Sequence, residues 1–348
     1  MILDKIKVGI LGCTGAVGQK FIALLEGHPF FEISTISASE KSAGQKYGER
    51  VSWIETAPLP ENIADMVISD CTGDLDAKIL FSALDSSVAG DVETQMADRG
   101  YVVVSNSKNH RMDDSVPLLI PEINGDHFAL IHSQPSKNTS GGFIVTNPNC
   151  ATVVLALSLY PFHKDFGVES VIVTTMQAVS GAGYPGVPAL DILGNLIPHI
   201  GGGEEEKLET EPLKILGSLD QNKIKFADFK VSASVNRVPV RDGHTVSVSV
   251  KLKNPASKEE ILRVIYAAPT LDLPSAPKQL LHYLDTPGRP RPLTDAYTGN
   301  GMSVTVGHLR PCTVLDWKYT ALGHNTIRGA AGAAILNAEY MVKNNLLS

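Results

Sequence analysis

Of the four cysteines in the chain, Cys13, Cys71, Cys150 and Cys312, one stands where a thiol could act as a nucleophile. The string Thr146-Asn-Pro-Asn-Cys150-Ala-Thr closes an apolar run, turns at a proline and opens a second apolar run predicted as a helix over 151–162. A thiol at a helix N-terminus feels the positive end of the macrodipole, which favours the thiolate, the form that attacks carbon. A small cysteine that merely packs is the competing reading, and it is the one given to Cys71 and Cys312.

A partner for that thiol is sought in Arg237-Val-Pro-Val-Arg-Asp-Gly-His244, between runs at 233–240 and 245–253 in which valines alternate with Ser, Thr and Arg. Asp242-Gly243 between alternating runs signals a two-residue hairpin. With that turn, His244 faces Arg241 across the ladder and Arg237 points to the same side as His244. One face then offers an imidazole to move a proton and a guanidinium to grip a carboxylate. A three-residue turn would put them on opposite faces.

The chain opens on a third chemical signal, Gly9-Ile-Leu-Gly12-Cys-Thr14-Gly15-Ala16-Val17-Gly18, between a predicted strand at 6–11 and a helix at 17–26. Small residues there let backbone amides approach a pyrophosphate at the positive end of a helix. The alternative is a glycine-rich structural turn. The next strand, 32–37, runs into Ser39-Glu40-Lys41-Ser42. Hydroxyls and a lysine suit the 2′-phosphate of NADP, while Glu40 could instead serve a ribose hydroxyl. NADP is the expected cofactor.

These groups need elements to hold them. Short apolar runs at 65–69, 79–83, 101–105 and 143–146, with a helix at 91–98, continue the strand–helix alternation of a doubly wound, mostly parallel sheet. After Cys150 comes a strand at 170–178, a Gly/Pro-rich stretch at 181–203, the alternating runs, and an Ala-rich helix at 326–347. The expected fold is α/β: a Rossmann-type domain, 1–147 with 326–348, and a mixed-sheet α+β catalytic and dimerisation domain, 148–325. A length of 348 residues suits two domains. Composition is that of a globular protein, 43% hydrophobic and 19% charged. A net charge of −7 argues against a nucleic-acid partner. No run is long enough for a membrane span, and the opening residues lack a signal-peptide core. The scattered cysteines form no CxxC pair, and reduced thiols in a cytoplasmic protein without a metal site are expected.

Taken together, Asn147-Pro-Asn-Cys150-Ala-Thr, Gln177 in Met-Gln-Ala-Val-Ser-Gly-Ala-Gly, Gly-Gly-Glu-Glu-Glu-Lys207, Arg237…His244 and the Asn325-Thr-Ile-Arg-Gly-Ala-Ala-Gly-Ala string resemble aspartate-semialdehyde dehydrogenases of the archaeal and fungal branch. The similarity runs nearly the whole chain. It implies NADPH-dependent reductive dephosphorylation of 4-phospho-L-aspartate to L-aspartate 4-semialdehyde, on the route to lysine, methionine, threonine and isoleucine. Cys150 would carry the thioester, His244 would act as acid and base, and Gln177 would orient the reacting carbonyl. Arg237 would bind the α-carboxylate. Arg111, helped by Asn109, and Lys207 would bind phosphate, and Glu204 the ammonium, although Glu205 or Glu206 could take that contact. A solvated acidic helix start is the alternative for the three glutamates. Through the same resemblance Gly12, Thr14, Gly15, Ala16, Val17, Ser39, Lys41 and Ser42 are expected at NADP, with Ser180, Gly181 and Asn325. A homodimer or homotetramer is expected. N-acetyl-glutamyl-phosphate reductase and malonyl-CoA reductase are the enzymatic rivals, and a nucleotide-sensing protein that lost its chemistry is the rival from another class.

Overall fold

The computed structural model describes residues 5–347 and divides the chain into two units. The first takes the chain up to Leu119, Asp126–Asn147, and everything from Ala331 onward; the second takes Ile120–Gly125 and Pro148–Ala330. The return thus falls at Ala331 where the sequence suggests 326, and the excursion at 120–125 has no counterpart in the sequence reading. Residues 1 and 348, which bound the first domain in that reading, lie outside the described residues.

The first unit is built on β1 (Ile6–Leu11), α1 (Ala16–Leu25), β2 (Phe31–Ala38), β3 (Ser69–Asp70), β4 (Ile79–Ser82), α2 (Ser86–Asp98), β5 (Val102–Ser105) and β6 (Phe143–Thr146). All six strands pair in parallel, in the order β3-β2-β1-β4-β5-β6. β4, β5 and β6 are buried at every position, as a parallel sheet covered on both faces requires. Strand order reverses between β2-β1 and β4, and the glycine turn leaves β1 at that switch point. The closing helix, Gly332–Lys343, buries Ala334, Ile335, Ala338 and Met341 in this unit's core. The strand expected at 65–69 is a correction: only Ser69–Asp70 joins the sheet. Ahead of it, the N–H of Met66 bonds Ile63 O and the N–H of Ile68 bonds Gln45 O, so these groups are spent on loops.

In the second unit α3 (Cys150–Phe166) precedes β7 (Val168–Gln177), β8 (Ile197–Pro198), α4 (Glu204–Ile215), the small ribbon β9 (Ser218–Asp220) and β10 (Lys223–Lys225), then β11 (Lys230–Arg237), β12 (His244–Leu252), β13 (Leu281–Leu284), β14 (Val304–Pro311) and β15 (Trp317–Gly323). Its seven-stranded mixed sheet runs β13-β14-β15-β12-β7-β11-β8. The expected hairpin is therefore wrong: β11 and β12 do not pair, because β7 lies between them, parallel to β11 and antiparallel to β12. Pro239 has no N–H for a ladder, and the connection instead runs along the end of β7. There Val238 N–H donates to Gln177 O, Val179 N–H to Val240 O and Ser180 N–H to Arg241 O. α3 is buried at every position from Ala151 to Leu159, which explains a run that is apolar all round.

The glycine turn shows which of its residues serve packing. A Cβ on Gly18 would lie 2.3 Å from Gly12 O and 2.7 Å from Cys13 Cα, whereas one on Gly15 would meet nothing nearer than Gly12 O at 3.6 Å. Gly18→Ala is expected to destabilise the protein by about 1–3 kcal/mol through overpacking, and Gly15→Ala to leave stability unchanged. Urea unfolding of the two variants checks this.

Candidate active site

Three strand ends and two helix starts converge in the second unit. Asn149 caps α3, its Oδ1 accepting the N–H of Ala151 at 2.9 Å and of Thr152 at 3.3 Å. Its own N–H donates to Glu211 Oε2 at 2.7 Å. Cys150 is the first residue of the helix, and its Sγ lies 3.1 Å from His244 Nε2. His244, the first residue of β12, is fully buried. Its other nitrogen, Nδ1, accepts the N–H of Ala178 at 3.1 Å.

That bond fixes the tautomer. A neutral imidazole has one donor and one acceptor nitrogen; with Nδ1 accepting, Nε2 carries the proton and donates it toward sulfur. Protonating Nδ1 would set two donors face to face. Burial pushes the imidazole down to about 3, and the charge of Arg237 and the neighbouring His324 add to the effect. His244 is thus a neutral donor near neutral pH.

On the far side of β7, Arg237 ends β11 in register with Gln177, the last residue of β7. The guanidinium is buried, with Nη1 donating to Ala178 O at 2.8 Å. Burial pulls its pKa down, and the charges of Cys150 and Glu204 oppose that. The sequence thus brings Arg237 and His244 to one place by flanking β7, without the hairpin. A Cβ on Gly181 would fall 2.9 Å from Arg237 Nη1 and 3.0 Å from His244 Cε1, so this glycine is the wall both side chains lean on.

Glu204 opens α4 and gathers the polar groups. Its carboxylate accepts Asn149 Nδ2 at 2.9 Å, Gln177 Nε2 at 3.3 Å and Lys207 Nζ at 2.6 Å. Burial alone would raise its pKa, but the Lys207 charge and the bonds from Lys207, Asn149 and Gln177 hold it below the usual carboxylate range. Of the three adjacent glutamates only Glu204 makes these bonds; Glu205 pairs with His199 at 3.1 Å and Glu206 is exposed. Asn325 accepts Gly243 N–H at 2.8 Å and donates to Ser180 Oγ at 2.8 Å. Asn149 and Glu211 were assigned no role from the sequence. A capping Asn one residue before a helix was legible there, whereas nothing local marks Glu211.

The remaining expected residues lie in the first unit. Gly12 has φ +80°, and a Cβ there would meet Ala83 O at 2.7 Å. Helix α1 starts at Ala16 with no side-chain cap on its first turn, so the amides of Ala16 and Val17 suit a pyrophosphate. Thr14 O and Ser52 O are tied together by Gln19 Nε2, which steadies the turn. Ser39 and Lys41 are exposed at the end of β2, as a 2′-phosphate needs, whereas Ser42 is buried. The turn fits the pyrophosphate of a dinucleotide. Arg111 is buried, Nη2 donating to Asn106 O at 2.7 Å; Asn109 donates to Ser86 O at 3.0 Å and accepts from Ser107.

The other thiols differ from Cys150. Burial pushes Cys13 up to about 12 and raises Cys71 as well. Cys312 departs from the expected buried packing role: it is half-buried beyond β14, and main-chain N–H groups, Leu315 first, hold its pKa below that of a free thiol. Among the described residues no His/Cys/Asp/Glu group could hold a metal ion, and no helix is long and apolar enough to cross a membrane.

A dinucleotide-type glycine turn in one unit, and a cysteine–histidine pair at a helix start in the other, define a thiol-dependent oxidoreductase of aldehydes. Residues 7–131 match the family described as semialdehyde dehydrogenase, NAD binding domain, and 159–328 that described as semialdehyde dehydrogenase, dimerisation domain. The chain is 50% identical to the aspartate-semialdehyde dehydrogenase of Archaeoglobus fulgidus over 99% of its length and 100% of the relative's. Among solved structures it resembles aspartate semialdehyde dehydrogenase with NADP from Candida albicans, with a TM-score of 0.89 and 41% identity over 98% of this chain and 99% of that one. It also resembles aspartate semialdehyde dehydrogenase II complexed with ASA from Vibrio cholerae, with a TM-score of 0.75 and 25% identity over 98% of this chain and 99% of that one. The chain belongs to the aspartate-semialdehyde dehydrogenase family.

The imidazole geometry makes a direct prediction. Nitrogen-15 NMR of the free protein is expected to show His244 neutral and protonated on Nε2 from pH 8 down to pH 5; an imidazolium at pH 6 would contradict the assignment.

Proposed function

We propose that the chain interconverts L-aspartate 4-semialdehyde, phosphate and NADP⁺ with 4-phospho-L-aspartate and NADPH, through a thioester on Cys150. The observation that carries this reading is the 3.1 Å approach of His244 Nε2 to Cys150 Sγ beside a buried arginine. In the reductive direction the thiolate forms a C–S bond to the acyl carbon, and the C–O bond to phosphate breaks with its electron pair on the leaving group. NADPH, when bound, supplies the hydride that reduces the thioester. The resulting oxyanion expels the Cys150 thiolate and leaves the aldehyde.

That sequence defines the work of each side chain. His244 Nε2–H donates first to the thiolate and then to oxygen as charge builds there. Collapse of the oxyanion needs no proton, so the acid/base role suggested by the sequence narrows to hydrogen-bond donation in this direction. Gln177 orients the carbonyl. Arg237 grips the α-carboxylate, and Glu204, already holding the Lys207 cation at 2.6 Å, takes the substrate ammonium. Lys207 and Arg111, with Asn109, receive phosphate. Ser39 and Lys41 receive the 2′-phosphate of NADP, with Ser42 behind them; Gly12, Thr14, Gly15, Ala16 and Val17 receive its pyrophosphate, and Ser180, Gly181 and Asn325 line its nicotinamide end. The working form is a cytoplasmic homodimer, alone or paired as a tetramer.

Cys150→Ala is expected to lower turnover at least about 10⁴-fold with the fold intact; retained phosphate-dependent NADPH formation would sink the mechanism. Arg237→Lys is expected to raise KM for the amino-acid substrate about tenfold or more, because the planar fork is lost. Aspartate semialdehyde with phosphate should support NADPH formation in steady-state assays, and CoA in place of phosphate should not. The ratio kcat/KM should favour NADPH over NADH.

A further inference from the structure

Behind Cys150 the chain departs from regular helix. Residues Ile327–Ala331 form a π-helical turn, in which Gly329 N–H donates to His324 O, five residues back, at 3.0 Å. Such turns cost hydrogen-bond geometry and concentrate where a site needs an otherwise unreachable backbone position. Here the position is that of Gly329. A Cβ on this residue would lie 2.6 Å from Cys150 Cβ, 2.9 Å from its Cα and 3.3 Å from its carbonyl oxygen. The bare α-carbon of Gly329 is therefore the surface on which the nucleophile's own backbone rests. Its φ is not in the left-handed region, so glycine is required here for space rather than for conformation.

The turn is also tied to the imidazole. It follows β15, whose last residue, Gly323, stands in register with His244. Asn325 Oδ1 takes the N–H of Gly243, immediately before His244. One short segment thus touches both members of the pair, at Gly323 and Asn325 on the histidine side and at Gly329 on the cysteine side. What holds it is a buried ion pair. Arg328 Nη1 and Nη2 donate to the two carboxylate oxygens of Glu122 at 2.6 and 2.8 Å, with side chains 1% and 0% exposed. Glu122 comes from the 120–125 excursion into this unit. That excursion is pinned in turn where Asn124 Nδ2 donates to Ile215 O at the end of α4. A bidentate pair without solvent has one good geometry, so it sets position more than it adds stability.

We propose that the Gly323–Gly329 segment gauges the spacing between Cys150 and His244, with Gly329 and the Arg328–Glu122 pair as positioning residues. The proposal rests on reading Cys150 as the nucleophile and is independent of which acyl phosphate it attacks. Carbon atoms in contact prefer about 3.5–4.0 Å, so an added methyl group at Gly329 displaces Cys150 by about 1 Å. A misplacement of that size costs about 100-fold in rate.

The test is the rate at which iodoacetamide alkylates Cys150, followed on the Cys150 peptide by mass spectrometry, beside steady-state kinetics. Alkylation requires neither substrate nor cofactor, so it judges the positioning even if the substrate assignment fails. Gly329→Ala is expected to slow kcat about 100-fold while KM moves less than threefold, and to slow alkylation as the thiolate loses its His244 donor. Arg328→Lys keeps the buried positive charge, adds no volume and loses the planar fork. It is expected to slow both about tenfold, and Arg328→Met, with no charge, further. Thermal melting reports the fold of each variant. Wild-type alkylation and kcat in Gly329→Ala or in Arg328→Lys, whatever the change in melting temperature, would overturn the proposal, because a merely structural turn changes stability and leaves the thiol's reactivity alone.

Discussion

The backbone N–H of Ala178, donating to Nδ1 of His244, constrains the rest of the site. It decides which nitrogen faces sulfur and leaves no room for a second proton on the ring. For that N–H to reach the ring, the end of β7 must lie beside the start of β12. For Arg237 to reach Ala178 O from the other side, β11 must end against β7 as well. One residue, Ala178, thus orients the imidazole through its N–H and the guanidinium through its carbonyl. The strand order of the sheet is what makes this possible.

Charge is balanced with similar economy. Cys150, once ionised, sits near a guanidinium, a helix start and a neutral donor, so no second ionised base has to be buried with it. Glu204 lies in the same region and would be costly there unpaired. Lys207, Asn149 and Gln177 supply its partners, and its carboxylate stays ionised. Because Asn149 caps α3 with its oxygen and meets Glu204 with its nitrogen, the helix that presents the thiol and the helix that presents the acid share one side chain. Glu211, seven residues along the same helix, takes the main-chain N–H of Asn149. The nucleophile's turn is therefore held from α4 at two points, and a displacement of either helix changes the place of sulfur.

The parts of this arrangement legible in the sequence are those governed by neighbouring residues. A strand, a proline turn and an apolar run put Cys150 at a helix start, and β1 and β6 begin and end where the residue pattern places them. The alternating runs that became β11 and β12 were also visible, though shifted by a few residues. Their relation was not. Asp242-Gly243 is a local signal for a hairpin, and it lost to the pairing of both strands with β7, a partner more than fifty residues earlier in sequence. Fully buried strands such as β5 carry no alternation, and the 65–68 stretch was apolar enough to imitate one. Buried acids such as Glu211 and Glu122 have no pattern at all before the fold exists, since their partners are distant in sequence.

The four thiols show why residue type alone could not identify the nucleophile. Cys13 lies within the glycine turn with a helix just beyond it, yet burial outweighs the one backbone donor and pushes its proton affinity up. Cys71 donates to Ala38 O and is raised because burial outweighs the donors from Ser37 and Gly12. Cys312 is lowered by main-chain N–H groups, but it sits in a half-buried turn beyond β14, away from the end of β7. Each has one of the features a nucleophile needs: a nearby helix, enclosure, or donors. Cys150 has a helix start, a donor imidazole and a neighbouring guanidinium together, and these come from residues 150, 244 and 237 on three separate elements. Reactivity in this fold is therefore a property of the convergence at the end of β7, and any sulfur outside that convergence is an ordinary side chain.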